Sequence, residues 1–184
     1  MNEQPNLGLL KTFPALERAD LLAEPVSAGL EAAGITDALV AEIDPDLADT
    51  AAFCEAYEIP LAASANCVIV AARRGGETTY AACMVLATAR ADVNGAIRRR
   101  LGARKASFAS MTDAVQLTAM EYGGITPVGV PSGWPVLVDS AVSAAGTVVI
   151  GSGLRRSKLA LPAERLLALP DAESIELSLR TNDG

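Results

Sequence analysis

A chain of 184 residues with 51% hydrophobic side chains is long enough to bury a core within one domain. Aromatic residues make up only 4%, so the core is built from Ala, Val, Leu and Ile, and an aromatic-studded reader of single-stranded nucleic acid is excluded. Histidine is absent and the net charge is -7, which removes Ser-His-Asp and Cys-His catalysis, imidazole metal centres and indiscriminate nucleic-acid binding.

In chain order, Pro14 to Ala19 opens on a helix-tolerated proline, and a second helix runs from Pro25 to Ala33 and stops at Gly34. Ala38 to Ile43 is a short strand. Asp46 is placed to cap a helix over about Leu47 to Tyr57, ending before Ile59-Pro60. Asn66 to Ala72 and Thr79 to Leu86 form two apolar strands around the turn Arg73-Arg74-Gly75-Gly76-Glu77, a hairpin. Asp92 caps a helix that runs through Leu101 to Gly102, and its arginines fall in the last turn, where they complement the helix dipole. A strand over Ala106 to Ala109, a helix over Thr112 to Met120, strands at Pro135 to Asp139, Thr147 to Ile150 and Lys158 to Leu161, and a helix from Pro162 complete the pattern. The prediction is a mixed α/β fold in one domain, 1–184, with a helical, acidic portion over 1–60 and a core over 61–170.

Charge is unevenly spread. Residues 1–70 hold 12 acids against 2 bases, whereas 73–105 hold eight bases against Glu77 and Asp92. Arg98, Arg99, Arg100, Arg104 and Lys105 are the candidate contacts to phosphates, alongside the plainer reading of a solvated helix face. Cys54, Cys67 and Cys83 are odd in number and set in apolar surroundings, which predicts reduced buried thiols and no metal site. No window approaches 18 uninterrupted apolar residues, and Met1 to Pro5 lack a basic leader start, so the expected location is the cytoplasm, without a membrane. Oligomeric state stays open.

Two glycine loops are the candidate site. Gly123-Gly124-Ile125-Thr126-Pro127-Val128-Gly129 allows positive φ and close backbone approach, and Gly151-Ser152-Gly153 leads into Arg155, Arg156 and Lys158. Glu121 and Asp139 flank the first loop as water-positioning or simply solvated carboxylates, and Trp134 follows it as a cap over the pocket, a stacking surface for a base, or packing under the loop.

These segments resemble the YbaK family, the free-standing relatives of the prolyl-tRNA synthetase editing insertion. The resemblance rests on Ala65 to Val70, Leu101-Gly102-Ala103-Arg104-Lys105, Thr118 before the Gly123–Gly129 loop, Val149 to Gly153, and Leu159 to Ala163. It implies a barrel-like mixed sheet surrounded by helices, and hydrolysis of the ester that joins a wrong small amino acid to tRNA. Aminoacyl-tRNA is then the substrate, an aminoacyl-tRNA synthetase a possible partner, and no cofactor is required. By that resemblance Gly123, Gly124, Ile125, Thr126 and Pro127 receive the ester through backbone groups. An aminoacyl ester is activated enough that backbone donors and an oriented water suffice without histidine.

The sequence departs from the family at two positions. Family members usually carry a lysine where Asn66 stands, and often an acidic residue where Lys158 stands. A relocated cation reconciles both: Lys158 enters the same pocket from another wall, with Arg155 and Arg156 beside it, while Asn66, Gly151, Ser152 and Gly153 complete the binding surface. A non-catalytic module that binds tRNA or an aminoacyl nucleotide is the alternative.

Overall fold

The computed structural model describes residues 7–179. The segment Met1 to Pro5, read above for a leader, lies outside them.

Among the described residues nine strands form two sheets. The first has the order β1 (Thr12–Pro14), β2 (Leu39–Glu42), β8 (Ser157–Pro162), β7 (Thr147–Gly151), with every pair antiparallel. The second has the order β5 (Lys105–Phe108), β3 (Ala65–Arg74), β4 (Glu77–Leu86), β6 (Val136–Asp139), β9 (Ala172–Ile175), and its last two pairings are parallel. The sheets touch through an isolated bridge between Ser64 and Val149. The mixed α/β fold expected above is what forms, and its barrel-like sheet is two sheets over a shared core that do not close into a barrel.

The β3–β4 hairpin is the longest pairing, ten residues on each side. Gly75 and Gly76 both take positive φ, 59° and 82°, the conformation a two-residue turn needs to match strand twist. Strand alternation then distributes side chains between layers. Ile69, Ala82, Met84, Val148, Ile150, Leu159 and Leu161 fill the main core with Val26 and Leu30 of α1 (Glu24–Ala32). Val149 and Ala160 face the other way, onto Phe53 and Cys54 of α2 (Thr50–Tyr57). Val70, Ala81, Cys83 and Leu137 form a third cluster beneath Val93 and Ile97.

Local signals explain most boundaries. Ser110 caps α4 (Met111–Thr118), its hydroxyl accepting from Asp113 N at 3.1 Å. Asp92 caps as expected, accepting from the amides of Gly95 and Ala96, but the first turn, Val93–Ile97, is a wide π turn leading into the short helix α3 (Arg98–Arg100). Three predicted features differ, and one strand is additional. Pro14 ends β1 and is followed by 3-10 turns, Asp49 rather than Asp46 caps α2, Pro162 leads into 3-10 turns over Ala163–Ala168, and β9 follows where no strand was expected. A four-residue helix, α5 (Ser140–Ser143), also follows β6 directly.

Candidate active site

The start of β3, the end of β7, the start of β8, the N-terminus of α2 and the first glycine loop enclose a cavity of about 470 Å³. Its walls bring together Asn66, Gly123, Ile125, Gly151, Arg155 and Lys158, six of the residues singled out from sequence.

The two loops are locked by main-chain contacts. Gly153 N donates to Gly124 O at 2.7 Å, Glu121 N to Gly153 O at 2.8 Å and Gly124 N to Glu121 O at 3.0 Å. A Cβ on Gly151 would collide with the Gly124 carbonyl and lie 2.6 Å from that of Ile125, and one on Gly124 would lie 2.7 Å from the Leu154 carbonyl. Glycine at both positions is thus what lets the loops share a wall. Among the described residues, no hydrogen bond occupies the Gly123 and Ile125 amides. Glu121 is spent on the frame: its carboxylate accepts from Arg155 N at 2.9 Å, while the Arg155 guanidinium donates to Tyr122 O and Pro45 O.

Lys158 leaves β8 on the face that carries Ala160, beneath α2. Its ammonium is 5.0 Å from the centre of the Phe53 ring and donates to Ala48 O at 3.2 Å. The residue is only 8% exposed, and burial pulls its pKa below the ordinary lysine value; Cys54 and Asp49 oppose that shift and Arg155 adds to it. On the facing wall Thr50 Oγ1 donates to Asn66 Oδ1 at 2.7 Å, so the side-chain N–H groups of Asn66 stay unbonded among the described residues. The cavity therefore presents a cation and neutral amide donors, a surface for carbonyl and hydroxyl oxygens.

Other sequence candidates lie elsewhere. Ser152 is fully buried behind the loop, where its hydroxyl meets Ser157 Oγ at 2.7 Å and accepts from Leu154 N at 3.2 Å. Gly153 packs against Ala23, and Arg156 reaches away to Asp20 O at 2.5 Å. Thr126 is buried with its hydroxyl unpartnered, and Pro127 faces a second, more apolar cavity of about 350 Å³ with Trp134, whose ring stacks on Tyr80 at 5.4 Å. Asp139 holds the C-terminal segment by accepting from Leu177 N at 3.3 Å and from the Ser178 hydroxyl.

The basic residues are a separate surface. Lys105 pairs with Arg73 at the far end of β3, seven residues from Asn66, or about 23 Å at ordinary strand rise. Arg98 bonds Asn94 O, and Arg100 pairs with Glu173. The thiols are free, and burial pushes Cys67 well above the usual range and Cys83 up to about 12.

Sequence reading missed Ala48, Asp49, Thr50 and Tyr122 in the cavity wall. Asp49-Thr50-Ala51 did carry a capping signal, since Asp49 accepts from Ala51 N at 3.2 Å. Nothing local marks Tyr122.

Fold and cavity together define an α/β domain whose cavity is walled by main-chain groups and a buried cation. The chain belongs to the aminoacyl-tRNA editing domain family, which matches residues 44–169. No curated protein matches it. Among solved structures, a candidate trans-editing enzyme for prolyl tRNA synthetase superposes with a TM-score of 0.74 at 22% identity, covering 86% of this chain and 97% of that one. The hypothetical protein APE2540 gives 0.74 at 19% identity, covering 85% of this chain and all of that one, 100%. At these identities the likeness establishes the fold. No helix among the described residues is long and apolar enough to cross a membrane.

Proposed function

We propose that the protein hydrolyses, in trans, the ester joining a wrongly attached small amino acid to tRNA. The observation that carries this reading is the convergence of Gly123, Ile125, Asn66, Gly151 and Lys158 on one cavity in a member of an editing-domain family. The ester carbonyl lies against the free amides of Gly123 and Ile125, which stabilise the oxyanion as water adds. A preorganised donor of this kind is worth about 10²–10³ in rate. Collapse of the tetrahedral adduct breaks the acyl C–O bond, returns the proton to the ribose oxygen and releases the free amino acid. Lys158 and the Asn66 amide hold the oxygens of ester and ribose. The cation that the family carries at the Asn66 position comes instead from β8, and Thr50 orients the asparagine.

Single-turnover deacylation of Ala-, Ser- and Cys-charged tRNAs tests this with wild type, Lys158→Ala and Asn66→Ala. Loss of a charge-assisted hydrogen bond predicts a fall of about 10- to 100-fold for Lys158→Ala. An active wild type matched by Lys158→Ala overturns the relocated cation. A wild type that binds tRNA without hydrolysis establishes a binding module instead.

A further inference from the structure

Tyr122 is the one aromatic residue lining the cavity among the described residues, and its ring has no aromatic partner there. It is 56% exposed, at the mouth rather than in the packing. The main chain beneath it is held on both sides: Arg155 donates to Tyr122 O at 3.2 Å, and the Glu121 carboxylate fixes the Arg155 amide. Other aromatic rings are engaged or distant. Trp134 stacks on Tyr80 beside the second cavity, Phe53 is buried under Lys158, and Phe108 lies on the edge strand β5.

We infer that Tyr122 is the stacking platform for the base of the nucleoside that carries the ester, and that it makes the site prefer a purine there. This rests on the proposed deacylation only for the identity of the ligand. The base lies one ribose away from the reacting carbonyl, and Tyr122 directly precedes Gly123, whose amide faces that carbonyl. A flat ring on a pinned backbone loses little freedom on binding and accepts any base by its π face, with the larger purine surface gaining more. The adjacent Arg155 guanidinium extends the same rim with a positive charge.

Calorimetric titration of the full chain with adenosine 5′-monophosphate and cytidine 5′-monophosphate tests the inference. Wild type is expected to bind the adenosine nucleotide more tightly. Tyr122→Ala should weaken that affinity by about 5- to 150-fold, the range of one base–aromatic stack, and Tyr122→Phe should retain it. KM for aminoacyl-tRNA should rise in Tyr122→Ala by a factor comparable to the loss of nucleotide affinity, and Tyr122→Phe should restore it. Equal nucleotide affinity in wild type and Tyr122→Ala overturns the inference, as does a Tyr122→Phe defect as large as that of alanine. If no charged tRNA is deacylated but nucleotide affinity still depends on Tyr122, the deacylase reading fails and the stacking role stands.

Discussion

Lys158 lies against the ring of Phe53, its ammonium 5.0 Å from the ring centre and anchored by a hydrogen bond to Ala48 O. A cation on a β-strand is thereby held beneath a helix at the wall of a cavity, desolvated and, among the described residues, without a salt bridge to a carboxylate. That arrangement suits a group reserved for a ligand, and it has a thermodynamic signature.

Burial lowers the folded-state pKa of Lys158 below its unfolded value near 10.5, so between the two values the unfolded chain binds more protons. Stability linked to this residue therefore rises with pH through that interval, is complete above about 10.5, and is lost as pH falls through the folded value. Lys158→Met removes the buried charge and keeps the volume. At pH 7 it should be more stable than wild type by about 1 kcal/mol, with the advantage shrinking as pH approaches 10.5. Denaturant unfolding of both proteins at pH 7, 9 and 10 measures this. A difference independent of pH would show that the ammonium is not desolvated in the fold.

Ser152 belongs to the frame. Its buried hydroxyl joins Ser157, which in turn donates to Leu21 O at 2.6 Å, so the second glycine loop is tied to the segment before α1. Ser152→Ala leaves those groups short of a partner and should cost about 1–3 kcal/mol in denaturant unfolding. Deacylation by the folded fraction should be unchanged, because the side chain does not reach the cavity. A stable but inactive variant would return Ser152 to the binding surface.

The contrast between Ser152 and Gly151 shows what local sequence can carry. Glycine pairs and apolar runs are local signals, so the β3–β4 hairpin and both glycine loops were legible, and their shared wall followed from the requirement for close approach. Which residues of a loop face the ligand is decided by neighbours remote in the chain. Thr126 is buried outside the cavity wall, Pro127 lines the second cavity with Trp134, and Ser152 is held behind the loop by Ser157. Tyr122 lines the cavity on a main chain held by Arg155, 33 residues further on. Strands β1 and β9 were illegible because they are short, only 3 and 4 residues, and exist through their pairing with β2 and β6.

Cys67 lines the cavity, yet burial holds its thiol protonated and no imidazole is available to activate it. Cys67→Ala is expected to keep the wild-type deacylation rate, and alkylation of the native protein at pH 8 should be slow compared with the unfolded chain. Loss of single-turnover activity in Cys67→Ala, at unchanged stability, would make sulfur part of the chemistry.

The basic band begins seven residues along β3, roughly 23 Å, from Asn66. A ligand whose ester occupies the cavity reaches it only if it is a polyanion extending well beyond one nucleoside, which a tRNA acceptor end is. Arg99 has no ion-pair partner among the described residues, whereas Arg100 is held by Glu173. Arg99→Ala should therefore weaken tRNA binding and reduce the slope of log affinity against log salt by about 1, while leaving adenosine 5′-monophosphate affinity unchanged. Arg100→Ala should change the slope less, since its charge is already partly neutralised. Filter binding of tRNA across a salt series, with both variants beside wild type, separates them, and an unchanged slope in Arg99→Ala would mean that the band meets no phosphates.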